Sequence, residues 1–185
     1  SRNAFTMDKN LSKSVIRVFV ELHKKKLIYK AEKLVNCDTV LKTAISDLEV
    51  DQREVNSLMY YIKYPIDNSH EYITIATTRP ETMLGDTAIA VNPKDERFKK
   101  FVGKVVTIPI VGRKIKIIED DYADPEQGTG ALKITPGHDF NDYDVGQRNN
   151  LEIINIFTED GKINNNGLKD YIGLDRFEAR KKILK

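Results

Sequence analysis

The sequence predicts an α+β protein with a mostly antiparallel, barrel-like β core and about four flanking helices. Short alternating apolar runs recur along the chain, each closed by Gly, Pro, Asn or Asp. Helical periodicity is confined to a few stretches, the longest at the N-terminal end, and no internal repeat divides the chain. With 185 residues, 40% of them hydrophobic, there is enough apolar surface for the core of one domain.

In chain order, residues 7–27 have the spacing of an amphipathic helix. Leu11, Val15, Val18, Phe19 and Leu22 form one face, Thr6 is a candidate cap and Asp8 lies in the first turn. Residues 34–37 and 43–50 read as short strands, so residues 1–36 form a helix and connecting strand ahead of the rest. Residues 58–64 and 71–78 form a hairpin with a longer polar loop. Pro80 ends its second strand, and residues 81–84 have room for one helical turn. A strand over 87–91 follows, then a short helix over 93–101 started by Pro93 and stopped by Gly103. Residues 105–110 and 113–118 pair around Val111-Gly112. The acidic run 119–124 lacks the glycine and closing glutamate of a calcium loop and reads as a solvated loop. Residues 131–135 alternate as a strand, 152–157 form another, 158–167 are a polar loop, and a last helix starts near Leu174 with Leu174, Phe177 and Leu184 on one face.

The net charge is only +2, but the signs are segregated. Residues 1–33 carry nine Lys/Arg against three Asp/Glu and residues 176–185 five against one, whereas 119–144 carry eight acids against Lys133 alone. Such a split suits a module that meets a polyanion with one surface and a cationic group with another; ordinary solvated faces are the alternative. A single cysteine, Cys37, excludes an internal disulfide framework and a cysteine-rich zinc site. No apolar run approaches the roughly 18 residues of a membrane span, and there is no signal-peptide pattern, so a cytoplasmic setting is expected. An excised fragment would lack its leader as well.

The chemistry concentrates in residues 128–146. Gly128 and Gly130 bracket a turn, Pro136-Gly137 break the following strand, and a helix begins near His138. In a helix, His138 and Asp142 are four residues apart and Asp139 and Asp142 three apart, so they share a side. An ordinary capped, solvated helix start gives the same pattern. Upstream, Thr77, Thr78, Arg79 and Thr82 gather hydroxyls and a guanidinium at a strand end, although threonine is also a good strand former.

Taken together, Thr77-Thr-Arg-Pro-Glu-Thr-Met-Leu-Gly-Asp-Thr-Ala-Ile-Ala-Val91, Gly128-Thr-Gly-Ala-Leu-Lys-Ile-Thr-Pro-Gly-His-Asp-Phe-Asn-Asp142 and Thr43-Ala-Ile-Ser-Asp-Leu-Glu-Val50 resemble the editing insertion of valyl-tRNA synthetases, over nearly the whole chain. The leucyl and isoleucyl enzymes carry similar insertions; Gly85-Asp86-Thr87-Ala88 is of the valyl type. The resemblance implies a single editing domain over residues 1–185 that hydrolyses threonine wrongly attached to valine tRNA. Its partners would be the 3′ end of that tRNA and the rest of the synthetase chain, with no membrane. It implies no metal and no cofactor in this domain, ATP and magnesium being used by the parent enzyme's catalytic domain. The adenylate-forming motifs are absent: Asn10-Leu-Ser-Lys-Ser14 superficially resembles a Lys-Met-Ser-Lys-Ser loop but lies in a helical pattern, without a His-x-Gly-His partner.

By the family pattern, Arg79 and Thr82 line the pocket, Lys133 and Thr135 stand on the neighbouring strand, and Asp139 and Asp142 are the catalytic carboxylates at the helix start. Thr77, Thr78 and His138 join the substrate-binding set, capping or structural bonding being the alternative for His138. Asp142 is suited to the substrate α-ammonium, with Asp139 as support or water orienter. Lys133 and Arg79 suit the ribose-phosphate end or charge developing on the ester carbonyl, and Thr82 and Thr135 the substrate hydroxyl. Two positions depart from the family: Cys37 stands where Trp is usual, and Gly137, where Ala is common, loosens the turn before the helix. The rival readings are a non-catalytic tRNA-binding module and a metal-dependent hydrolase built on His138, Asp139, Asp142 and Asp144.

Overall fold

The computed structural model describes residues 5–185, which divide into two units, one ending at Lys33 and the other running from Leu34 to Lys185. In the first unit, α1 (Lys9–Lys24) follows the predicted periodicity, but Asp8 rather than Thr6 occupies the N-cap position. The Asp8 carboxylate accepts the Phe5 N–H at 3.0 Å. No residue of α1 is buried: Val15, Ile16, Val18 and Phe19 are all exposed.

The second unit begins with a small hairpin, β1 (Asn36–Asp38) and β2 (Thr43–Ile45), whose turn is tied by Asp38 Oδ1 accepting the N–H groups of Val40 and Leu41. The strand expected over 43–50 stops early. Ser46 and Glu49 form a reciprocal capping box around a 3-10 turn, Asp47–Glu49, which competes with extended backbone. A second hairpin, β3 (Tyr60–Pro65) with β4 (Tyr72–Thr77), matches the sequence expectation closely. A 3-10 segment, Pro80–Gly85, leads into β5 (Ala88–Val91). Then come β6 (Val105–Thr107), β7 (Lys114–Glu119), β8 (Ala131–Ile134), α2 (Phe140–Arg148) and α3 (Arg176–Ile183).

These strands do not close into a barrel. They form two separate hairpins and a four-stranded sheet ordered β6-β7-β5-β8, antiparallel except for the parallel β5–β7 pair. Closure would need a main-chain ladder between β4 and β8; instead the Thr129 hydroxyl donates to the Thr74 carbonyl at 2.6 Å. On the other side a single bridge, Ile66 to Val106, joins the hairpin end to β6, which is only three residues long.

The sheet's alternation sorts two cores. Ile89 and Val91 face a large cluster with Tyr64, Ile73, Ile75, Met83, Leu84 and Ile156, while Ala88 and Ala90 face a smaller one with Ile134 and Val145 of α2. The alanines keep that side shallow, so α2 can lie close to the sheet. The predicted helix over 93–101 is reduced to a 3-10 turn, Lys99–Phe101, because Asn92 and Asp95 side chains capture the Lys94 and Arg97 N–H groups. The strand predicted over 152–157 has one isolated bridge, Phe157 to Ile163; its Ile156 N–H bonds to a histidine instead of a ladder. On α3 the buried residues are Ala179 and Ile183. Phe177 and Leu184 are exposed, so the predicted apolar face is rotated, and Leu174 packs on the core from outside the helix.

Candidate active site

The strand–helix junction after β8 is built from the top of the strand. Asp139, in extended conformation, caps α2, its Oδ1 accepting the N–H groups of Asn141 and Asp142 at 3.0 and 3.2 Å. The helix thus starts after Asp139, so His138 lies outside it and shares no helical face with Asp142. The start is capped but not solvated: Asp142 is 7% exposed and its Oδ2 accepts the Thr135 N–H at 2.8 Å.

Five carboxylates are buried: Glu81, Asp86, Asp95, Asp120 and Asp142. Four have a cationic partner, respectively Arg180 at 2.7 Å, Lys133 at 2.9 Å, Arg97 at 2.6 Å and Arg148 at 2.6 Å. Among the described residues Asp142 is in no ion pair. Burial raises its pKa to about 6, against the opposing pull of the Lys133 charge and the Thr135 N–H.

Lys133 and Thr135 converge on a residue outside the predicted set, Asp86. Its Oδ1 accepts both the Lys133 ammonium and the Thr135 hydroxyl, the latter at 2.6 Å, and its Oδ2 accepts the Tyr64 phenol at 2.7 Å. Lys133 also donates to the Thr135 hydroxyl. Burial, with the Asp86 charge, pushes the Tyr64 phenol well above its ordinary pKa. The signal in the sequence was a lone acid inside the apolar run Met83-Leu-Gly-Asp-Thr-Ala-Ile89, answered by a lone lysine inside Ala131-Leu-Lys-Ile134. Opposite charges buried in two apolar segments need each other. Tyr64 carried no such signal, being one of four tyrosines in residues 60–72.

The threonine-rich segment is joined to the junction by main-chain acceptors. Arg79 Nη1 donates to the His138 carbonyl at 2.9 Å, the Thr82 hydroxyl to the Arg79 carbonyl at 2.9 Å, and the Arg79 N–H to Thr77 Oγ1 at 3.1 Å. Arg79 and Thr78 are exposed, Thr82 is buried. His138 Nε2 accepts the Ile156 N–H at 2.9 Å, which places the ring proton on Nδ1, and its ring stacks edge-on with Phe157 at 4.6 Å. Burial, helped by the Arg79 and Lys133 charges, lowers its pKa to about 3, so the ring stays neutral at physiological pH. The structure therefore brings Arg79, Thr82, Lys133, Thr135, His138, Asp139 and Asp142 into one linked network, with Thr77 at its edge and Thr78 on the surface.

Among the described residues no cluster of three or more His, Cys, Asp or Glu side chains is arranged to hold a metal ion. His138 Nε2 and Asp139 Oδ1 are both occupied by main-chain N–H groups.

A model of the class I tRNA synthetases (I, L, M and V) matches residues 1–171, and the chain belongs to that family. Within it, valine–tRNA ligases match the whole chain. That of Pelagibacter ubique is 82% identical over 185 residues and that of Thermotoga maritima 56% identical over 185, in each case across 100% of this chain and 21% of the relative. The chain thus spans about a fifth of the length of these relatives. In fold it is similar to a LeuRS of Agrobacterium radiobacter K84, solved as a ternary complex with tRNA and LeuAMS. The TM-score is 0.55 at 21% identity, over 69% of this chain and 18% of that one. No helix among the described residues is long and apolar enough to cross a membrane.

Proposed function

We propose that residues 1–185 are the editing domain of a valine–tRNA ligase, which hydrolyses the ester of threonine wrongly attached to valine tRNA. Residues 1–36 are then the junction with the parent enzyme. The observation that carries this reading is Asp142, a buried carboxylate in no ion pair among the described residues, within a linked network in a chain matched throughout by valine–tRNA ligases. An aminoacyl ester brings an α-ammonium, and that group supplies the missing counter-charge.

The remaining residues take roles that their bonds support. Asp139 fixes the first turn of α2 and with it the Asp142 main chain. Lys133 and Arg79 are suited to the ribose-phosphate end or to charge developing on the ester carbonyl. Thr82 and Thr135 offer hydroxyl oxygens to the threonine side chain, for which valine has no answering group. His138, neutral and tied to Ile156, orients the junction and moves no proton. Hydrolysis breaks the bond between the acyl carbon and the ribose oxygen; the ester is already activated, so a positioned water suffices. The domain itself needs no cofactor, and ATP and magnesium serve the parent enzyme's catalytic domain. The need for such a site is the known weakness of the valine pocket of valyl-tRNA synthetase, which rejects the isosteric threonine only about a hundredfold.

The test is a deacylation panel of threonyl-, valyl- and isoleucyl-tRNA with the full-length ligase. Rapid loss of the threonyl ester alone is the expected result. Comparable rates on threonyl and valyl esters would remove the specificity, and binding without cleavage would leave a tRNA-binding module.

A further inference from the structure

Asp86 divides its two carboxylate oxygens between two elements. Oδ2 takes the Tyr64 phenol from β3, and Oδ1 takes the ammonium of Lys133 and the hydroxyl of Thr135 from β8. Tyr64 and Asp86 are fully buried and Lys133 is 6% exposed, so bulk water does not compete for these bonds. An ammonium in such surroundings stays charged and fixed only beside a counter-charge with good geometry. Of the three N–H donors of Lys133, one goes to Asp86 and one to Thr135, and those two set the direction of the third. Thr135 carries the constraint onward, because its hydroxyl bonds Asp86 while its main-chain N–H donates to Asp142. Behind the carboxylate, Arg113 Nη2 donates to the carbonyls of Leu84 and Asp86 at 2.9 and 2.7 Å and holds that main chain in place.

We propose that Asp86, its carboxylate plane fixed by the Tyr64 hydroxyl, is a positioning residue of this site: it aims the remaining N–H of Lys133 and, through Thr135, the carboxylate of Asp142. The claim rests on the editing function proposed above for what the aimed groups act on, but the device itself is testable without it.

Two variants of the full-length ligase serve, Tyr64→Phe, which removes one hydroxyl and leaves the ion pair, and Asp86→Asn. The first readout needs no activity: labelling by an amine-reactive ester, followed by mass spectrometry, with exposed Lys116 as internal reference. Lys133 should resist labelling in the parent, label faster in Tyr64→Phe and faster still in Asp86→Asn. The second readout is threonyl-ester hydrolysis. Asp86→Asn should lower kcat about 10- to 100-fold, the effect of a small misplacement of reacting groups, with KM within about twofold. Tyr64→Phe should lower it less, and the double variant should be no slower than Asp86→Asn alone, since Tyr64 acts only through Asp86. A folded Tyr64→Phe with unchanged labelling and unchanged kcat overturns the proposal, as do effects that multiply in the double variant. If Asp86→Asn does not fold, Tyr64→Phe alone decides. If the parent cleaves no threonyl ester yet Lys133 labelling responds as expected, the editing function fails while the positioning of Lys133 stands.

Discussion

At the scale of single residues, Asp142 ties activity to stability with opposite signs. Burial raises its pKa from 3.8 to about 6, so between these values the folded chain keeps a proton that the unfolded chain has lost. Stability from this group is greatest below pH 4 and falls as pH rises to about 6, by about 3 kcal/mol in all. Asp142→Asn should therefore melt higher than the parent at pH 7 to 8, yet lose threonyl-ester hydrolysis; a folded variant that deacylates at the parental rate would leave Asp142 a mere part of the helix start. In the parent, kcat/KM should rise with pH through about 6 as the free carboxylate ionises. His138 acts in reverse. With its pKa lowered to about 3, stability rises with pH from about 3 to 6.5 and is complete above that. The two slopes oppose each other between pH 4 and 6, so Asp142→Asn should expose the rising His138 slope in acid melting curves. Of these residues, Asp139 and Asp142 stood out in the sequence by their spacing and Lys133 only through the family resemblance. For the pairing of Lys133 with Asp86 the sequence held only two opposite charges in apolar runs; that they meet depends on the register of β5 with β8, which the sequence leaves open.

At the scale of elements, Gly137 shows how a local reading and a packed structure diverge. In the sequence it loosens a turn; in the fold it is buried, and a Cβ built on it would lie 2.5 Å from the Ile154 carbonyl oxygen. Gly85 approaches the same oxygen, where a Cβ would lie at 3.0 Å. The Ile154 main chain thus runs between the end of the 3-10 segment and the β8–α2 turn, and glycine is there for closeness, not for freedom. Gly137→Ala should destabilise by about 1–3 kcal/mol in urea titration, the usual range for overpacking. It should also weaken the nearby Ile156 N–H bond to His138, seen as faster exchange of that amide. The hairpin β3–β4 and helix α1 were readable because their periodicity is local. The segment over 152–157 was not, since its partners, His138 and Asn164, are side-chain and loop groups that periodicity does not register. The barrel expectation failed for a similar reason: counting strands says nothing of whether β4 and β8 exchange main-chain bonds.

At the scale of the whole molecule, charge segregation gives a binding prediction. If the Lys and Arg of residues 1–33 and 176–185 contact phosphates, tRNA affinity should fall with salt at a log–log slope of about −0.7 to −0.9 per phosphate neutralised. A salt-independent affinity measured by filter binding would assign those residues to solvated surfaces. The second unit is also held together across its length by Arg180, whose guanidinium forms two 2.7 Å bonds with the buried Glu81 carboxylate, 99 residues away in sequence. Arg180→Ala strands that carboxylate without a partner and should destabilise by about 3–5 kcal/mol, read as a shifted urea midpoint. The same bond sets where a gene for this module can be cut. A transplant that stops before α3 would leave Glu81 as an orphan charge between Arg79 and Thr82, inside the segment that the proposed function assigns to the substrate, and the damage would reach well beyond the tail. Crossover points for chimaeras belong beyond Ile183, where the last buried side chain of the chain lies.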